Sequence, residues 1–389
     1  MIQETASMHS AVNYKRVDAI DAMRGLAAIA VVLYHARVEF WAGLSAVWRT
    51  YGITIWPDAL IGYASAPFSF GWFGVQVFFV LSGYCIHRRA SQQFAASDQV
   101  AVDWLLFYKR RALRIYPVYL AALMLTFLVS HIEFLRGVEI RDVDRSAYAF
   151  FVSVLSLQGI IAPMYSWNGV FWTLSIEIHL YLFYPIVYFI SKKFGAYAML
   201  IASAAISTVY VGLDFFFRWT EANPFAFGVT PIFFAFLFMW TFGAYIAECE
   251  SSRGRLPHGI WWWGLSIICA VTGGIALDGS QWGRSTSVLS CLPLTIAAGA
   301  FVILGLRLGQ LRRPCVEFCL SSLASIGIFS FSIYATHVVT FHVLKLFGLP
   351  IGSHSLAGAL TATLASVVFG YTLYLFVERP AITMATRIK

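Results

Sequence analysis

Apolar runs about twenty residues long recur from one end of this chain to the other, with little polar sequence between them. A helix needs about 20 such residues to cross the hydrocarbon core of a bilayer. Ten runs lie near residues 20–41, 68–88, 113–134, 170–190, 195–216, 229–247, 259–277, 286–306, 325–347 and 356–377. The pattern predicts an all-α integral membrane protein of about ten transmembrane helices. Composition excludes a soluble domain, because 59% of the residues are hydrophobic and only 12% are charged, against roughly 25% charged in soluble proteins. No polar segment is long enough to house a second domain, so residues 1–389 read as a single membrane domain with a short polar tail at 1–17. That tail, and the run after it that ends in "YHAR" with no small-residue cleavage site, do not read as a cleavable signal peptide.

The formal net charge of +8 would suit a nucleic-acid binder. The basic residues, however, sit in short clusters between apolar runs, as on the cytoplasmic face of a membrane protein, so no nucleic acid is expected as a partner. With ten spans and a cytoplasmic N-terminus, eighteen Lys and Arg fall in cytoplasmic segments and six in outer loops. Both termini are therefore expected to be cytoplasmic. A further apolar stretch, 147–165, would reverse this bias if it crossed the membrane, and it reads as a re-entrant or interfacial segment on the outer side. The six cysteines (Cys85, Cys249, Cys269, Cys291, Cys315 and Cys319) read as packing or inert thiols. Only Cys315 and Cys319 are close together, and their spacing is a weak metal signal. No metal is expected.

The residues that bear on function are those that break the lipid rule. An ionisable side chain inside a span must find a partner or a water-filled cavity. Arg24 and His35 lie in the first run, eleven positions apart, which places them on one helix face about 16 Å from each other. Gln76, Ser82, Gly71, Gly74 and Gly83 lie in the second, where the small residues permit close approach of another helix or a narrow ligand. Arg111 and Arg114, at i and i+3 before the third run, share a face at the membrane surface. Arginine forks there suit phosphate groups, and they also suit a simple charged anchor. Ser175, Glu177 and His179 interrupt the fourth run. Glu177 points away from the other two, and as a buried carboxylate it needs a cationic or hydrogen-bonding partner, for which Arg24, Arg37 or a histidine is available. Ser332, Tyr334 and His337 in "FSFSIYATHVVTFHV", and Glu378 and Arg379 in "FVERP", complete the set.

Six stretches carry a family resemblance: Arg24 to His35 as R-x10-H, "FFVLSG", "RRALRIYP", "WTLSIEIHLYLFYP", "FSIYATH" and "VERP". In this order, from residue 18 to 380, they resemble the acyltransferase 3 family of multi-pass membrane proteins. The resemblance implies an O-acyltransferase of the cell inner membrane that moves an acyl group, usually acetyl, from cytoplasmic acyl-CoA to a sugar hydroxyl. The acceptor it implies is a surface polysaccharide, a lipid-linked glycan or a related glycoside. It further implies that Arg24 and His35 are catalytic or donor-binding, that Arg111 and Arg114 engage the CoA phosphates, and that Ser82 and Glu177 line the reaction path. His179 departs from the family pattern and takes no role.

Acyl transfer to a hydroxyl needs a base, and histidine is the side chain tuned for that near neutral pH. His35 is placed for the base role, and Arg24 for the donor phosphate or carbonyl. Direct transfer and a covalent acyl-enzyme on His35 or Ser82 are both open to this chemistry. Two other classes share some of these features: a secondary transporter or flippase, which also carries intramembrane charge, and a non-catalytic partner of a polysaccharide export machine.

Overall fold

Inside a bilayer every backbone N–H and C=O must be paired within the protein, so apolar runs fold as helices. The computed structural model describes residues 2–41, 60, 63–64, 66–96, 101–138, 143–162, 164–219, 233–251, 256–257, 259–278, 289–311, 313–348 and 356–388. The chain forms α1 (Ile2–Phe40), α2 (Phe73–Ala95), α3 (Trp104–Leu135), α4 (Ala147–Val154), α5 (Phe171–Phe194), α6 (Ala196–Trp219) and α7 (Phe233–Ser251). It continues through α8 (Ile260–Asp278), α9 (Cys291–Leu308), α10 (Pro314–Gly327), α11 (Ser330–Leu346) and α12 (Leu356–Leu373) to α13 (Arg379–Arg387). A π-helical turn, Tyr374–Glu378, joins the last two.

Each of the ten predicted runs contains a helix. By length and composition, seven helices among the described residues can cross a membrane, or eight if a bent pair is taken as one span. Gln76 and the closing His87, Arg88 and Arg89 keep α2 out of that set, and the apolar part of α8, Ile260–Ile275, is short. Several arginines and loops used in the sidedness argument, Arg49, Arg141, Arg253, Arg255, Arg284 and Arg312 among them, lie outside the described residues.

Several boundaries differ from the sequence reading, and α1 begins at Ile2, within the stretch read as a polar tail at 1–17. α3 begins at Trp104, because Asp103 caps it by accepting a 2.9 Å hydrogen bond from the Leu106 N–H. Arg111 and Arg114 consequently stand inside the helix and not at its opening. The run at 325–347 is not one helix: α10 and α11 meet at 61°. A Cβ on Gly327 would lie 1.8 Å from the Asp21 carbonyl oxygen, so only glycine lets α10 end this close to α1. The Ser330 hydroxyl donates to the Gly327 carbonyl at 2.8 Å and covers one acceptor that the break exposes. Finally, "ERPAITMATRIK" forms α13, which packs on α3 through Ala381 and Ala385.

The 147–165 stretch holds the eight-residue α4 and then turns. Eight helical residues span only about 12 Å, less than half the hydrocarbon thickness. Ser156 and Ser166 in and after it adopt left-handed φ of 58° and 56°. Both are buried and tied down, since the Ser156 carbonyl accepts from the Ser175 hydroxyl and the Ser166 hydroxyl meets Ser130 at 2.8 Å. This rigid turn presents the start of α5. Cysteines placed at Tyr148 and Ile161, which are 59% and 47% exposed, are expected to label with an impermeant reagent from one and the same side of the membrane. Labelling from opposite sides would show that the stretch crosses.

Helix crossings fix the interior. A Cβ on Gly83 would sit 1.8 Å from the Trp240 carbonyl oxygen, so α2 and α7 touch backbone to backbone there. Gly71 and Gly74 meet α1 in the same way. The helices share two ends. One, the basic end, gathers the close of α2, α5 and α7 with the start of α3 and with α13, as the Ser91–Ser251 contact of 2.9 Å and the Arg110 bond to the Ile388 carbonyl record. At the opposite end the close of α1, α3 and α11 meets the start of α5.

Candidate active site

Three polar groups follow one another through the apolar bundle, beginning at the basic end. Between α3 and α13 lies a cleft of about 290 Å³ lined by Arg110, Arg111, Arg114, Ile382, Ala385 and Thr386. Ala385 and Thr386 on α13 leave the room, and the three guanidinium groups supply the charge. Arg111 also lies over the rings of Phe107 and Tyr181, each at 5.8 Å, so its fork is held by cation–π contacts. Arg114 points deeper, within electrostatic reach of Arg24, Glu378 and Tyr181.

The second group is a knot around Glu177. Its Oε1 accepts hydrogen bonds from the Ser82 hydroxyl at 2.9 Å and from the Tyr181 hydroxyl. The two hydroxyls are 3.0 Å apart, and Trp240 Nε1 donates to Ser82 at 3.2 Å. The Gly83 crossing is what brings Trp240 to Ser82. Arg24 is half-buried: its nearest carboxylate is Asp21, one turn away at 3.9 Å, and Glu177 and Tyr181 lie within its electrostatic reach. Glu177 thus takes hydroxyls as direct partners and a cation at longer range. Glu378 accepts from Ser332 at 2.6 Å and stands near both Arg24 and Arg114. A buried carboxylate without such partners would be costly.

Tyr334 links the knot to the third group. Its hydroxyl meets that of Thr173 at 2.8 Å, one helical turn before Glu177 on α5, and its ring packs against Phe78 and His337. There His35 and His337 meet, with His35 Nδ1 3.2 Å from His337 Nε2 and ring centroids 5.0 Å apart. His337 is fully buried and His35 half-buried.

The structure therefore brings Arg24, Ser82, Glu177, Arg111 and Arg114 into one half of the path and seats His35 in the other. His179 stacks on Phe233 apart from them. Sequence reasoning missed Arg110, Tyr181 and Trp240. Tyr181 was open to detection at i+4 from Glu177, whereas Trp240 stands in "FLFMWTF", where Thr241 is the one polar residue, and carries no signal. Two polar clusters outside the path were also missed. At the basic end His87 bonds Glu248 at 2.8 Å, and Ser191 donates to the same oxygen. At the opposite end the buried Glu133 accepts from Trp167 at 2.8 Å and from His342 at 2.7 Å, with the two rings stacked.

A bundle of apolar helices threaded by basic, acidic and imidazole groups defines a polytopic membrane protein with a polar path inside it. The profile described as "Acyltransferase domain" matches residues 17–375, and the chain belongs to this acyltransferase 3 family. The exopolysaccharide production protein ExoZ of Rhizobium meliloti (strain 1021) is 27% identical over 320 residues, covering 80% of this chain and 90% of the relative. Nodulation protein 10 of Rhizobium leguminosarum bv. viciae is 24% identical over 294 residues, 71% of this chain and 73% of the relative. A viral protein bearing the name acetyltransferase ORF330, from Acidianus two-tailed virus, is 29% identical over 191 residues, and the match spans 49% of this chain and 47% of the relative, about half of each. No solved structure shows a significant match. The chain is a multi-pass membrane O-acyltransferase.

Proposed function

We propose that the protein transfers an acyl group, acetyl by preference, from cytoplasmic acyl-CoA to a hydroxyl of a surface polysaccharide, a lipid-linked glycan or a related glycoside. The observation that carries this reading is the continuous series of polar groups from the three-arginine cleft to the His35–His337 pair. In this reading the basic end faces the cytoplasm, both termini lie there, ten spans cross the inner membrane, and the whole chain is one membrane domain. The name of one rhizobial relative, for exopolysaccharide production, supports a glycan acceptor.

The donor's phosphates would sit on Arg110, Arg111 and Arg114, with the pantetheine arm running inward past Arg24 to the Ser82–Glu177–Tyr181 knot. Arg24 would donate to carbonyl oxygens of the donor arm as it passes. His35 would take the proton of the acceptor hydroxyl as that oxygen bonds to the carbonyl carbon. The C–S bond then breaks, and the leaving thiolate receives the proton. Direct transfer fits these positions without a covalent intermediate, because a substrate pair could bridge the base and the donor contacts.

Glu177 would hold Ser82 and Tyr181 along the arm. Hydrogen bonds to a charged group contribute about 1.5–3 kcal/mol each, so Glu177→Gln is expected to lower transfer roughly 10-fold or more with protein level unchanged. Rates in isolated membranes check this, and a fully active Glu177→Gln enzyme would make the knot a packing feature. The function as a whole is tested by mass spectrometry of surface glycan from cells with and without the gene. A gain of one acetyl mass per modified sugar is expected. Identical glycans would exclude this class of acceptor.

A further inference from the structure

The two imidazoles carry more information than their distance. A carbonyl oxygen can only accept a hydrogen bond, and this locates the ring protons. His337 Nδ1 lies 2.8 Å from the Tyr334 carbonyl oxygen and therefore carries a hydrogen. In the neutral ring Nε2 is then an acceptor. His35 Nδ1 lies 3.0 Å from the Val31 carbonyl oxygen and 3.2 Å from His337 Nε2. Both neighbours accept, so Nδ1 is the protonated nitrogen of His35, shared between them. The lone pair of the half-buried ring is left on Nε2.

We propose that His337 is a positioning residue that holds His35 in its Nδ1–H form, so that Nε2 is the atom that takes the acceptor's proton. The inference rests on the reading of His35 as the base. As the acceptor oxygen bonds to the acyl carbon, its proton moves to Nε2, and His35 becomes an imidazolium whose Nδ1–H donates to neutral His337. When the C–S bond breaks, the same Nε2 proton passes to the thiolate and the ring returns to its first state. His337 touches neither substrate. It fixes the tautomer in the way a second partner fixes a catalytic histidine generally, and a neutral imidazole does so without burying the charge of a carboxylate.

The test uses the full-length protein in nanodiscs with isotope-labelled histidine nitrogens, and His35→Gln assigns the His35 signals. The wild-type spectrum is expected to show His35 protonated at Nδ1 and bare at Nε2. A protonated Nε2 in the neutral ring would overturn the proposal with no variant needed. In parallel, His337→Leu is expected to lower kcat about 10- to 100-fold, the worth of a hydrogen bond to a charged group, here the imidazolium, while KM for acetyl-CoA stays unchanged. His337→Gln keeps an acceptor toward His35 and is expected to recover most of that loss. Equal damage from Leu and Gln, or full activity of His337→Leu, would overturn the positioning role. If His35→Gln itself stays active while the wild-type spectrum shows Nδ1–H, the base reading fails and takes the catalytic part of the proposal with it, leaving the tautomer in place.

Discussion

Replacing His35 with alanine is expected to lower acyl transfer by about 100-fold or more, the usual worth of a general base, while membrane insertion and donor binding stay intact. The expectation follows from where the ring stands. His35 is the half-buried member of an imidazole pair at the far end of a polar path that opens on an arginine cleft. Its direct polar partners are a carbonyl of its own helix and another histidine, and its ring meets those of Tyr34 and His337. Glutamine keeps hydrogen-bonding capacity but accepts no proton near neutral pH, so His35→Gln is expected to be nearly as poor as alanine. A base also gives the rate a limb on the acid side, because the protonated ring can no longer accept, and activity rises with pH until the ring is neutral. That limb should vanish in the residual rate of His35→Gln. Near-normal activity of His35→Gln would assign the ring to packing and leave Glu177 as the next base.

The double replacement of Arg111 and Arg114 by alanine should have a comparably large effect, on binding and not on chemistry. Each charge-assisted contact to a phosphate oxygen contributes about 1.5–3 kcal/mol, so the loss of two should weaken acyl-CoA binding about 100-fold or more. Lysine at both positions should recover part of this, since it restores charge without the planar fork. The loss should shrink at high salt, where the wild-type contacts are themselves screened. A titration of detergent-solubilised protein with CoA reads the affinity directly. Unchanged affinity in a well-folded double variant would make the cleft an anchor at the membrane surface.

Much of this was legible before the structure, and for definite reasons. The R-x10-H spacing puts Arg24 and His35 on one face whatever the rest of the chain does, because helical periodicity is local. Glu177 declared itself as a carboxylate in an apolar run that had to find partners. Which partners was not legible: the Ser82–Glu177 bond joins residues 95 apart, and the His35–His337 contact joins residues 302 apart. Such pairings are set by how the helices cross, which a single sequence does not reveal. The bend between α10 and α11 was hidden too, since hydropathy is blind to the close approach of Gly327 to α1 that ends the first segment. Arg110 read as one more basic residue in "KRRALR", and only the placement of α13 against α3 turns it into a wall of the cleft.

Acyl transfer itself is read out with the purified protein in proteoliposomes, given acetyl-CoA with a labelled acetyl group and a glycan acceptor. Label is expected to appear in ester linkage on the glycan, with free CoA released in equal amount, and His35→Gln vesicles are expected to show neither beyond background. Movement of the glycan across the vesicle membrane with no acyl-CoA present and no ester formed would contradict this, and would place the protein among transporters.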